Sequence, residues 1–173
     1  FDRPYSMDGT GVDIVIQDSG LQVDHPEFKD ANGISRVQLI DWYAESGLTG
    51  SQSSNHYRDY DGHGTHCGGT ATGLNFGWAP NARVYSVKVG GLEGSGDSGT
   101  GISISQCFDV IKGWHQNKPI DPNTGYKRPT IVNASLIVFL NLVNSSISSL
   151  PSKNRLSKIS KDISSINVFE ASF

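Results

Sequence analysis

The chain predicts an α/β fold: a largely parallel sheet covered by helices on both faces, three layers in all. Short apolar runs of strand length alternate with helix-like stretches over the first 135 residues. Each strand-like run is followed by enough chain for a crossover, which parallel strands require. Glycine-, asparagine- and proline-rich turns punctuate the alternation.

Taken in order, residues 12–16 (Val-Asp-Ile-Val-Ile) read as a buried strand running to Asp18, with Gly20 permitting the sharp turn behind it. Residues 37–40 form a second candidate strand. Residues 44–60 are rich in Ser, Gly, Asn and Tyr and read as a surface loop. A helix is expected over His63–Thr72 despite its glycines. Residues 82–89 alternate with period two and predict a strand. The glycine-rich turn 90–101 then leads to a helix over 102–116, with Ile104, Phe108, Ile111 and Trp114 on one stripe. After a Pro/Asn/Gly turn, residues 130–133 begin another strand.

With 173 residues there is room for one domain and a sizeable core. A content of 36% apolar and 18% charged residues argues against wholesale disorder. The net charge of −3 supplies neither a basic field for nucleic acid nor a polybasic membrane patch. The longest apolar run, residues 136–143, is broken by Asn141 and too short to span a bilayer. No signal-peptide pattern is visible, and Phe1 in place of methionine reads as a processed or partial chain. Cys67 and Cys107 do not make a disulfide framework. Cys67 stands one helical turn after His63, as a small hydrophobe, a reactive thiol or a metal ligand.

Composition changes near Leu136. All 20 glycines precede it, whereas the last 38 residues hold ten serines. Residues 1–135 carry 10 basic and 15 acidic side chains (−5); residues 136–173 carry 4 and 2 (+2). We therefore expect residues 1–135 to be one domain portion and 136–173 an atypical Ser/Ile/Lys-rich tail that is not its native continuation.

Two motifs carry chemistry. Asp18 ends a buried parallel strand, the edge at which open α/β sheets gather ligand sites. His63 stands at the entrance to a glycine-rich helix, where flanking glycines let backbone and substrate approach closely. Alone, Asp18 would serve as well for a turn or a helix cap, and His63 as well for structure. Together they read as the general base and orienting carboxylate of a nucleophilic hydrolase.

Asp18-Ser19-Gly20 and His63-Gly64-Thr65-His66-Cys67-Gly68-Gly69-Thr70 resemble the aspartate and histidine signatures of the subtilisin-like serine proteases, in particular the proteinase K-like branch. His25-Pro26-Glu27-Phe28, Gly77-Trp78-Ala79-Pro80-Asn81-Ala82 and Val87-Lys88-Val89 resemble further family segments in the same order. The resemblance covers residues 9 to 136, so the fold it implies is an incomplete subtilisin-like one. It implies an Asp/His/Ser endopeptidase, with Asp18 and His63 as two catalytic members. It also implies an extended polypeptide substrate held between Gly94-Ser95-Gly96 and the strand of Asn133, Ser135 and Leu136, which borders the pocket for the residue before the cut. A secreted monomer follows from the resemblance alone; the compartment cannot be read from the residues. No cofactor is expected, and the segment before Ala79 lacks the extra residues of a calcium loop, so no metal is expected there.

Beyond Leu136 the pattern departs. Ile137 and Val138 stand where the family has glycine, and branched side chains there would obstruct the cleft. No segment resembles the oxyanion asparagine or the nucleophile turn, and Ser145, Ser146, Ser148 and Ser149 lack any glycine setting. Loss of the serine costs such a triad a factor on the order of 10⁶ in subtilisin itself, so this chain is expected to be inactive. Either its tail is a truncated or frame-shifted product, or a partial domain serves as a non-catalytic peptide-binding scaffold. Two rivals are weaker: an aspartic-protease half, which would be all-β and would need a second such aspartate, and a metal hydrolase built from Asp61, His63, His66 and Cys67.

Overall fold

The computed structural model describes residues 7–90 and 101–135. Among these residues, four strands form one parallel sheet in the order β2-β3-β1-β4, where β1 is Asp13–Asp18, β2 Val37–Gln38, β3 Arg83–Lys88 and β4 Thr130–Asn133. Three α-helices accompany it: α1, Trp42–Ser46; α2, His63–Thr72; and α3, Ile104–Asn117. A 3-10 turn spans Pro26–Phe28.

Every residue of β1 is buried, as expected for a strand paired on both sides and covered on both faces. Alternation then sorts its side chains. Val15, with Tyr85 and Val87 of β3, packs against Trp42, Cys107, Val110, Ile111 and Trp114. Ile14, Ile16 and Val84 turn the other way, toward Leu21, Phe28 and Val37. Two cores separated by the sheet make the expected three-layer α/β fold. In the first, the Trp42 ring stands edge-on to Trp114 with centroids 5.4 Å apart, and its Nε1–H donates to the Ser86 carbonyl at 2.8 Å.

Two local expectations need correction. The expected loop 44–60 begins too early, because Trp42–Ser46 is helical: the Asp41 side chain accepts from the Tyr43 and Ala44 N–H groups, and Gly47 closes the helix at φ +72°. The stripe assigned to α3 is misphased at Phe108, which is 49% exposed. Ser103 caps the helix, and the buried residues are Cys107, Val110, Ile111 and Trp114. Phe108 lies a further 100° around the helix from Cys107.

The far end of α2 is tied down by Arg36, whose guanidinium donates to the carbonyls of Thr72, Glu27 and Pro80. A cation at a helix C-terminus complements its dipole.

Gln17 of β1 is fully buried, and among the described residues neither atom of its amide has a hydrogen-bond partner. Gln17→Met keeps the volume and removes the orphaned groups, so it is expected to raise stability by about 1–2 kcal/mol. The urea midpoint checks this; a lower midpoint would mean that the amide is satisfied in solution.

Candidate active site

The C-terminal end of β1 and the N-terminus of α2 meet where Gly20 and Gly64 allow it. Gly20 adopts φ +117°, and any Cβ there would lie 2.6 Å from the Tyr57 carbonyl oxygen. A Cβ on Gly64 would lie 2.2 Å from the Gly20 carbonyl oxygen. Backbone against backbone, with no side chain between, brings the imidazole of His63 to the carboxylate of Asp18.

His63 Nδ1 lies 2.8 Å from Asp18 Oδ1, which also accepts the Ser19 N–H at 2.7 Å. Since the carboxylate can only accept, Nδ1 carries the proton, which leaves Nε2 the lone pair whenever the ring is neutral. Asp18 is fully buried, whereas the His63 side chain is 46% exposed. The pair therefore has a rigid inner member and an outer member open to solvent.

The bond to Asp18 raises the His63 pKa above its ordinary 6.5; partial burial opposes the shift, and the negative charges of Asp18, Asp61 and Asp59 support it. A raised folded midpoint means that the pair's stabilisation is fully present below about pH 6.5 and is lost as pH rises through that midpoint. His56 and His115 are shifted down by burial and contribute the opposite slope. The clean readout is thus the NMR titration of the His63 ring: its midpoint should lie above that of an unfolded histidine and fall in Asp18→Asn. Identical midpoints in the two proteins would show that Asp18 does not hold the ring in solution.

Cys67 joins this pair. Its Sγ is 3.8 Å from both ring nitrogens of His63, and the ligand atoms of Asp18, His63 and Cys67 all lie within 4.8 Å of one another. Burial pushes the Cys67 thiol up; contact with Ser135 offsets part of this, while the charges of Asp18 and Asp59 add to it. A thiol kept protonated is a poor nucleophile. Cys107 is remote and buried, with its pKa pushed up to about 12.

Of the residues assigned to substrate binding, Ser135 donates to the Asn133 side-chain oxygen at 2.9 Å and touches Cys67, so both lie at this edge. Gly94, Ser95, Gly96 and Leu136 lie outside the described residues. The metal set Asp61, His63, His66 and Cys67 does not assemble. Asp61 caps the His63 N–H through its carboxylate, and His66 lines a separate cleft of about 450 Å³ with Gln22, His25, Glu27 and Phe76. His66 stands only about 60° around α2 from His63, yet its side chain lines that cleft and stays out of the Asp18–His63–Cys67 group.

Asp59 escaped the sequence reading. It is buried, and its carboxylate accepts from Ser19, Asp61, Gly62 and Thr65. The available signal was a carboxylate shortly before a helix whose N-cap, Gly62, has no side chain of its own.

A buried carboxylate bonded to an imidazole at the C-terminal edge of a parallel sheet is an arrangement that can hold a general base in one tautomer. The family model described as the subtilase family (Peptidase S8) matches residues 9–161, and the chain belongs to that family. It is 32% identical over 109 residues to a cuticle-degrading serine protease of Arthrobotrys oligospora, covering 60% of this chain and 24% of that protein. It is 35% identical over 95 residues to proteinase R of Parengyodontium album, covering 55% and 21%. Subtilisin-like protease 9 of Arthroderma otae is 35% identical over 139 residues, covering 78% and 32%. Among solved structures, the Clostridium perfringens CspB protease aligns with a TM-score of 0.48 at 22% identity, over 85% of this chain and 36% of that one. The chain thus spans between 21% and 32% of the length of these curated relatives. Among the described residues no helix is long and apolar enough to cross a membrane.

Proposed function

We propose that this chain carries the base half of a subtilisin-type endopeptidase site, with Asp18 orienting His63. The observation that supports it best is the 2.8 Å contact between Nδ1 of the half-exposed His63 and the fully buried Asp18. In the whole enzyme, His63 Nε2 takes the proton of a downstream serine hydroxyl as its oxygen bonds to the peptide carbonyl carbon. His63⁺ then returns that proton to the leaving amine as the C–N bond breaks, leaving an acyl-enzyme. Asp18 stays ionised throughout and stabilises the imidazolium. The polypeptide substrate lies extended between Gly94-Ser95-Gly96 and the strand continuing from Asn133 through Ser135 to Leu136. Family kinship suggests an extracellular monomer.

The chain itself we read as inactive, because its serines past residue 136 lack a nucleophile's setting. The abrupt loss of glycine and the change of charge support a frame-shifted or truncated tail over residues 136–173. The family match runs past that break to residue 161, so the test is made on the coding DNA. Reading the other two frames past Ser135 should recover glycine-rich sequence with a serine signature. Their failure to do so would favour a peptide-binding scaffold without catalysis. For the protein, a fluorophosphonate probe is expected to leave every serine unlabelled. Covalent labelling of any of them would overturn the inactive reading.

A further inference from the structure

The N-terminus of α2 has no capping side chain of its own, yet each amide of its first turn is occupied. The His63 N–H goes to the Asp61 carboxylate at 3.1 Å, the Gly64 N–H to the Ser19 hydroxyl oxygen at 2.9 Å, and the Thr65 N–H to Asp59 Oδ2 at 2.9 Å. The Gly62 and Asp61 N–H groups both go to Asp59 Oδ1, at 2.9 and 3.1 Å. Free amides at a helix start need such acceptors, and a negative charge there complements the helix dipole.

Asp59 does more than cap. Its Oδ1 also accepts the Ser19 hydroxyl at 2.9 Å, and its Oδ2 accepts the Thr65 hydroxyl at 2.5 Å. Ser19 adjoins Asp18, and its oxygen receives the Gly64 N–H next to His63. One carboxylate therefore joins the residue after Asp18 to the residues around His63. Thr65 extends the link by accepting the Gln22 N–H at 3.0 Å.

The loop carrying Asp59 is anchored in turn. Lys88 Nζ donates to the Arg58 carbonyl at 2.9 Å and stands 4.5 Å from the Tyr60 ring centroid. The Leu21 N–H donates to the Tyr57 carbonyl at 2.7 Å.

We propose that Asp59 is a positioning residue for the Asp18–His63 pair: it sets the height and rotation of the first turn of α2 against the end of β1, so that the imidazole meets the carboxylate in a single orientation. The proposal rests on reading Asp18 and His63 as a catalytic pair. Asp59 touches no reacting atom and positions the pair through Ser19, Asp61, Gly62 and Thr65. A network in which each member has its partner loses more than one bond when its hub is removed, because the remaining donors are left buried and unpaired.

The test uses the whole chain and follows the His63 imidazole by NMR, with near-ultraviolet circular dichroism of the Trp42–Trp114 cluster as the check on folding. In the wild type the Nδ1–H bonded to Asp18 should give a resolved downfield proton. In Asp59→Ala that resonance should be lost and the His63 midpoint should fall, with the aromatic dichroism retained. Asp59→Asn should restore the resonance in part. Its side-chain oxygen can stay on Ser19, Asp61 and Gly62 while its amide faces the Thr65 hydroxyl and leaves the Thr65 N–H unpaired, so most of the geometry survives without the charge. Rescue of this kind separates positioning from simple loss of a nearby negative charge, under which Ala and Asn would behave alike.

If Asp59→Ala does not fold, Ser19→Ala, which cuts only the link to β1, is read in its place, with weakening of the downfield proton expected. An unchanged downfield proton and midpoint in a folded Asp59→Ala or Ser19→Ala protein would overturn the proposal, as would failure of Asp59→Asn to restore the signal. The parent reading fails differently: Asp18→Asn would then leave the His63 midpoint of the wild type unmoved.

Discussion

Gly64→Ala is expected to destabilise the protein by about 3 kcal/mol or more, at the upper end of overpacking costs. The added Cβ would meet the Gly20 oxygen at 2.2 Å, the Gly20 nitrogen at 3.0 Å and the Asp18 Cβ at 3.1 Å. The first two are backbone atoms and the third belongs to the candidate pair, so no flexible side chain can yield. Relief requires α2 to retreat from β1, which breaks the Gly64-to-Ser19 and His63-to-Asp18 bonds together. Two other glycines of the same helix provide the scale. A Cβ on Gly68 would press on Leu21 and Phe28 side chains, which can shift, so its cost should be smaller. One on Gly69 meets nothing within 4 Å, and Gly69→Ala should gain up to about 1 kcal/mol from helix propensity. Urea denaturation of the three variants should give that order; a wild-type midpoint for Gly64→Ala would refute the close approach.

Asp13→Ala should cost about 3–5 kcal/mol, the range for breaking a buried ion pair from one side. Asp13 is 1% exposed and accepts from Lys118 Nζ at 2.8 Å and Arg128 Nε at 3.0 Å. Lys118 is buried beside the Trp114 ring and donates also to the Thr130 hydroxyl at 2.7 Å. Without Asp13 its ammonium keeps only neutral partners. Burial already lowers the Lys118 pKa, with Asp13 opposing that shift, so removing Asp13 should lower it further. A lysine whose folded pKa lies below its unfolded value releases its proton first in the folded state. Stability of the variant should therefore rise with pH, from its folded midpoint up to the unfolded value near 10.5. Denaturation of both proteins at about pH 7 and about pH 9.5 reads both effects. Replacing Asp13 and Lys118 together, Asp13→Leu with Lys118→Met, should cost less than Asp13→Ala alone, since Arg128 keeps Asp121 at 3.7 Å. Equal losses in the single and double variants would show that the unpaired charge is not the cause.

Much of this was legible in local pattern. The run at residues 12–16 overlaps β1 because a largely apolar stretch suits a doubly covered sheet, and the predicted helix His63–Thr72 and strand 130–133 coincide with α2 and β4. Asp18 and His63 stood out because each sits at an element's end with permissive glycines beside it. Legibility failed where a decision depended on partners far along the chain. α1 was hidden because five residues show no periodicity, although Asp41 and Gly47 mark its ends. Phe108 looked like core until the true face of α3 was set by Trp42 and Tyr85. The pairing of Lys118 was hidden, since its counter-charge lies 105 residues away.

The residues by themselves determined the subtilase kinship, the alternation of strands with α2 and α3, and the choice of Asp18 and His63 as the candidate pair. Those properties follow from side-chain type and short-range spacing, which the chain carries before it folds. Tertiary structure alone decided that the two meet at 2.8 Å, that Cys67 rather than His66 joins them, and that Asp59 ties their two elements together. Directed bonds between a strand end and a helix start depend on distances of tenths of an ångström, and only packing of the sheet against α2 sets those.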